Sequence, residues 1–124
     1  IYLSGVSMGA YGTWDLAAQR PDLFAGLVPI CGGGNPTFAA QRLVSKPVWA
    51  FHGALDSVVS VEQSREMVAA LKKAGSMRIR YTEYETGFHN VWDAAYAEKE
   101  LMPWLLMQST KHVIREHHPP PAAL

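Results

Sequence analysis

Short apolar runs alternate along this chain with stretches of helical spacing. Residues 1–6 form an apolar run of strand length, and residues 8–20 follow as a helix stopped by Pro21. Gly26-Leu-Val-Pro-Ile30 is a second apolar run. It opens into Cys31-Gly-Gly-Gly-Asn-Pro36, a loop by composition. A short helix fits residues 37–43. Pro47-Val-Trp-Ala-Phe-His52 reads as a third strand closed by Gly53. Ser60-Val-Glu-Gln63 has the form of a capping box. Val61, Ser64, Met67, Val68 and Leu71 then recur on one helical face, with Gly75 as the C-cap. Residues 78–85 alternate and predict a fourth strand. A last helix is predicted over 98–108, where Pro103 is tolerable only near the first turn. Residues 109–124, with three consecutive prolines, read as a poorly ordered tail.

Strands that alternate with helices predict an α/β fold, a three-layer sandwich around a mostly parallel sheet of four strands. Ligands of such sheets gather beyond the carboxyl ends of the strands. Composition adds little to this picture. At 124 residues the chain supports one modest core. Eleven basic and eleven acidic residues leave a formal net charge of zero, which gives no electrostatic reason to expect nucleic acid or a membrane surface. No apolar run approaches the roughly 18 residues of a membrane span. The single Cys31 excludes an internal disulfide and reads as a small buried side chain. The chain opens inside a strand without an initiator Met, and is expected to be the downstream part of a longer protein.

The chemistry begins at Gly5-Val-Ser-Met-Gly9. This G-x-S-x-G sits between a predicted strand and a predicted helix, the setting of a nucleophile elbow. A side chain at either flanking glycine is expected to crowd the turn. A serine hydroxyl needs a general base and a group that orients the base. Asp56, beyond the third strand, and His89, beyond the fourth, follow Ser7 in the order nucleophile, acid, base. Glu83 and Glu85 lie inside a strand and are expected to face solvent. His52 precedes the acid and reads as a structural histidine. The backbone N–H of Met8 is a candidate oxyanion donor at a helix start. Gly33, in the glycine loop, and Trp92, three residues after His89, are candidate substrate-binding positions. His112, His117 and His118 lack the spaced carboxylate or cysteine partners of a metal site, so no metal and no cofactor is expected.

Gly5-Val-Ser-Met-Gly-Ala-Tyr-Gly-Thr-Trp14, Pro29-Ile-Cys-Gly-Gly-Gly34, Trp49-Ala-Phe-His-Gly53 with Asp56 and Val58-Val59, and His89-Asn-Val-Trp-Asp93 together resemble the α/β-hydrolase superfamily. More narrowly they resemble bacterial esterases related to polyhydroxybutyrate depolymerases, feruloyl esterases and the phospholipase/carboxylesterase group. The resemblance covers residues 1–108 and implies the C-terminal half of that catalytic domain. It implies Ser7 as nucleophile, Asp56 as acid, His89 as base and Met8 as oxyanion donor, acting on a small-molecule ester through an acyl-enzyme. The chain departs from the family at Ala10, where a second glycine is frequent and a methyl is expected to press on helix packing. It departs again at Ser57 and Ser60, which replace prolines. A peptidase of the prolyl-oligopeptidase type and a non-catalytic fragment are the alternatives. With the earlier strands absent, residues 1–6 are expected to form an open apolar edge, completed by an N-terminal half or by self-association.

Overall fold

Apolar residues on both faces of the strands dictate the layering. The computed structural model describes residues 1–109. Strands β1 (Tyr2–Val6), β2 (Gly26–Ile30), β3 (Val48–Gly53) and β4 (Ile79–Tyr84) pair in parallel, in the order β1-β2-β3-β4. Helices α1 (Met8–Gln19), α2 (Pro36–Leu43) and α3 (Glu62–Lys73) connect them, and α4 (Trp92–Tyr96) and α5 (Leu101–Leu106) follow β4. Successive strand residues point to opposite faces. On one face Leu27, Val48 and Ala50 join Trp14, Ala17, Ala18, Leu43, Met67 and Leu71 in one core. On the other, Val28, Ile30, Trp49 and Phe51 meet Val91, Ala95, Leu101 and Leu105. The three layers predicted from the sequence are therefore present, with α1–α3 on one face and α4–α5 on the other. Both central strands, β2 and β3, are buried along their whole length, as parallel strands covered on two faces require.

The connecting helices are set by local chemistry. Asn35 caps α2 by accepting from Phe38 N at 3.0 Å, with Pro36 at the first helical position. Helix α3 ends in a Schellman pattern at Gly75, whose φ is 98°. Gly75 N donates to Leu71's neighbour Lys72 at its carbonyl, and Ser76 N donates to Leu71 O. All five residues of its expected apolar face are buried. The start of α3 differs from the full capping box. Ser60 Oγ accepts from Glu62 N at 3.2 Å, but the Gln63 side chain lies against Gly33 instead of reaching back to the helix start.

Three further expectations are corrected. The last predicted helix, 98–108, is shorter, with α5 running over Leu101–Leu106, and α4 at Trp92–Tyr96, ahead of it, was missed. Pro103 falls in the first turn of α5, where its absent N–H costs nothing. Glu83 is not simply solvated. Arg65 donates to both of its carboxylate oxygens, at 2.9 and 2.7 Å, and Tyr81 Oη donates to one at 2.7 Å. Glu85 is exposed, as expected. The Ala10 methyl is fully buried against Gly32, which has no side chain to oppose it. Among the described residues no helix is long and apolar enough to cross a membrane. Among the described residues β1 pairs on one side only, with β2. The expected disordered tail and its three histidines fall, from residue 110 on, outside the described residues.

The Glu83 cluster has a pH signature. The Arg65 guanidinium, aided by Tyr81, holds the Glu83 carboxyl at about 2, against the opposing effect of burial. A carboxyl depressed on folding stabilises the protein above its unfolded value and loses that contribution as pH falls through the folded one. Glu83→Gln is therefore expected to melt below the parent chain at pH 7. The gap should close between about pH 4 and pH 2. Thermal melts across that window check it; a gap that persists unchanged at pH 2 rejects the assignment.

Candidate active site

Ser7 stands at the junction of β1 and α1 with φ 57° and ψ −116°. A positive φ at a serine is backbone strain, held here because both flanks are fixed. Ser7 N donates to Ile30 O, and Ser7 O accepts from Ala10 N and Tyr11 N. Gly5 makes the turn possible, because a Cβ there would lie 2.1 Å from Gly9 O. The expectation for Gly9 itself is corrected: a Cβ at that position meets nothing within 4 Å. The crowding runs one way, from residue 5 onto the backbone of residue 9.

Asp56 and His89 arrive from the ends of β3 and β4. Gly53 lets the two turns approach: a Cβ there would sit 2.3 Å from Phe88 O and 2.5 Å from Gly87 O. Ala54 N and Leu55 N bond to Tyr84 O and Gly87 O across the same gap. His89 Nδ1 lies 2.6 Å from Asp56 Oδ2, and His89 Nε2 lies 2.9 Å from Ser7 Oγ. An ionised carboxylate only accepts, so Nδ1 carries the hydrogen and Nε2 presents a lone pair to the Ser7 hydroxyl. The Asp56 side chain is fully buried, while that of His89 is 19% exposed. Burial pushes the Asp56 carboxyl up. The hydrogen bond from His89 and the N–H groups of Val59 and Val58 more than offset it, so the carboxyl is held below its usual range.

The structure thus brings Ser7, Asp56 and His89 together. Met8 opens α1, so its N–H is among those with no partner inside the helix. Trp92 sets its ring edge-on to His89, with centroids 5.8 Å apart. Gly33 is placed differently from the expectation. It is buried, and a Cβ there would meet Gln63, so its smallness makes room for α3. Gly32 is the loop glycine that touches the elbow, at Ser7 O and Ala10. Cys31 is buried as expected. It adopts φ 60° and directs Sγ to His89 O at 3.4 Å, and burial pushes its thiol up to about 11.

The sequence reading also missed a contact of His52. That ring is fully buried and lies 3.2 Å from Asp56 Oδ2. The four-residue spacing from His52 to Asp56 was visible, but only the turn at Gly53 brings the two side chains together. Two open surface cavities, of about 440 and 460 Å³, are lined by residues of α2 and α3 or of α5 and its approach. Neither is lined by Ser7, Asp56 or His89.

Comparison with solved structures agrees with the fold. A thermostable esterase superposes with a TM-score of 0.83 and 44% identity, over 88% of this chain and 31% of its own. The chain has the fold of the α/β-hydrolases. Esterase PE8 matches this chain with a TM-score of 0.71 and 21% identity, over 84% of this chain and 49% of that one. An acylaminoacyl peptidase from Pyrococcus horikoshii matches with a TM-score of 0.70 and 19% identity, over 84% and 23%. The last two likenesses speak to the fold alone. The chain spans about a third of the length of the thermostable esterase and about half that of PE8. No family model and no curated protein matches it.

Proposed function

We propose that this α/β-hydrolase chain carries the catalytic groups of a serine hydrolase acting on carboxylic esters, without a cofactor. The observation that carries this reading is the continuous hydrogen-bonded path from Ser7 Oγ through His89 to Asp56 Oδ2, begun at a strained elbow. Ser7 Oγ attacks the ester carbonyl as its proton passes to His89 Nε2. The resulting oxyanion is received at the α1 start by Met8 N–H. When the carbon–oxygen bond to the leaving group breaks, His89 returns the proton and the alcohol departs. Water then attacks the acyl-Ser7 ester, giving a proton to His89. Ser7 leaves with that proton, and the acid is released. Asp56 keeps the His89 tautomer and offsets the imidazolium charge.

Esters are favoured over amides by the 44% identity to the thermostable esterase. Apolar side chains next in sequence to the reacting groups are exposed: Met8 beside Ser7, Leu55 beside Asp56 and Phe88 beside His89. They suit an ester with an apolar substituent, and Trp92 is the proposed wall on the His89 side. A second oxyanion donor is supplied by further polypeptide that also covers the open side of β1, or by a second copy at that edge. The test is labelling with a fluorophosphonate probe, the label being located by mass spectrometry. It is run on the chain itself and on a longer polypeptide that supplies preceding strands. The expected result is a single adduct on Ser7. Folded protein that takes no label in either form overturns the proposal. An adduct accompanied by amide hydrolysis equal to ester hydrolysis favours a peptidase.

A further inference from the structure

Asp56 has two histidines on one oxygen. Its Oδ1 accepts from Val58 N and Val59 N, both at 2.8 Å. Its Oδ2 faces His89 Nδ1 at 2.6 Å and His52 Nε2 at 3.2 Å. His52 Nε2 also lies 2.8 Å from Val59 O. Both neighbours of that nitrogen are acceptors, so it carries a hydrogen; the hydrogen bond goes to Val59 O, and the polarised N–H stands against Asp56 Oδ2 in close electrostatic contact. On the far side of the ring, Nδ1 lies 2.7 Å from Ser64 Oγ, which also stands 2.9 Å from Gly32 O, so the single Ser64 hydrogen is divided between those two acceptors. Gly32 in turn packs against Ser7 O. The path therefore closes on itself. It runs from the elbow through Gly32, Ser64, His52, Asp56 and His89 back to Ser7.

We propose that His52 is a positioning residue for the hydrolytic reaction, because it shares Asp56 Oδ2 with His89 and so limits how tightly that oxygen holds the His89 Nδ1 hydrogen. The inference rests on the serine-hydrolase reading above. A polarised N–H held against a carboxylate oxygen draws on the same negative charge that a hydrogen-bond donor to that oxygen uses, so the two weaken each other. With His52 present, the Asp56–His89 bond is strong enough to fix the tautomer. It still lets His89 give its proton up to the leaving alkoxide. Without His52, all of Oδ2 falls to His89, and the imidazolium is held more firmly. Other charged and titratable groups near His52 are few. The Cys31 thiol lies with it and Asp56 in one cluster within 4.8 Å. Glu83 is its register partner on β4, neutralised by Arg65 of α3, with Tyr81 on the same carboxylate. His89 stands across Asp56.

The experiment measures the rate of fluorophosphonate labelling of Ser7 against pH in the parent chain, His52→Leu and His52→Gln. This readout needs no second oxyanion donor for turnover. It is run beside circular dichroism and melting temperature. His52→Leu is expected to move the acid limb of the profile upward by about half to one pH unit. His52→Gln, whose amide nitrogen reaches the position of Nε2, should bring the limb back towards the parent. A purely structural role would lower the melting temperature and the plateau rate while leaving the limb in place. If His52→Leu fails to fold, His52→Asn replaces it. That shorter amide can keep Ser64 company but withdraws from Asp56. A parent chain that labels with a clear acid limb, beside variants whose limb does not move, overturns this inference alone. A folded parent chain that takes no label overturns the serine-hydrolase reading and this inference with it.

Discussion

Replacing Ser7 by Ala is expected to lower ester turnover by about 10⁵- to 10⁶-fold and to abolish fluorophosphonate labelling. The fold should barely notice. Ala tolerates φ 57° no better and no worse than Ser, and the backbone bonds of residue 7 to Ile30, Ala10 and Tyr11 are untouched. The side chain contributes no cap to α1, so the melting temperature should stay within the effect of about 1 kcal/mol. What is lost is the hydroxyl that stands within hydrogen-bond reach of His89 Nε2. The oxyanion donor and substrate contacts remain, and they account for a small residual rate over water. Turnover of p-nitrophenyl acetate by both proteins, with matched thermal melts, decides the matter. Undiminished turnover in the Ala variant would move the nucleophile elsewhere.

Gly5→Ala is the second large effect, and it falls on stability. The added methyl would lie 2.1 Å from Gly9 O, 2.3 Å from Gly9 C and 2.7 Å from Thr13 Oγ1. Relief by a small shift is blocked, since Thr13 Oγ1 donates to Gly9 O at 2.8 Å and α1 is anchored in the core through Trp14, Ala17 and Ala18. A clash with backbone on that scale exceeds ordinary overpacking, which costs about 1–3 kcal/mol, and reaches a large part of a domain's total stability of about 5–15 kcal/mol. The variant is expected to be largely unfolded or insoluble. Gly9→Ala is the control. Its Cβ meets nothing within 4 Å, and inside a helix it should be neutral or stabilise by up to about 1 kcal/mol. Denaturant unfolding of the pair measures the contrast. Equal stabilities would show that the elbow can open without Gly5.

The four strands, the helices between them and the meeting of Ser7, Asp56 and His89 were legible because each rests on local signals. Periodicity fixes the elements, strand ends fix the edge of the sheet, and chain order distinguishes acid from base. The parts that were not legible depend on which segments meet in space. Gln63 was read as a cap from its spacing, yet the approach of the glycine loop draws it to Gly33. Glu83 looked solvent-facing from its place inside a strand, but Arg65, eighteen residues earlier in sequence, reaches it from α3. His52 was read as structural from its place in β3. Its contact with Asp56 depends on the chain turning back at Gly53. Gly9 misled for a related reason: a motif names its residues without saying which of them carries the steric demand.

The strand order also bears on how the protein is made. Each strand pairs with the next one in sequence, so the sheet can grow outward as the chain lengthens, one βαβ unit at a time. The hydroxyl of Ser7 and the ring of His89 are nevertheless separated by 82 residues. Closing so long a span must await the docking of β4 and the turn behind it. A nascent chain therefore presents a bare, unactivated serine until the segment from β4 to His89 has docked.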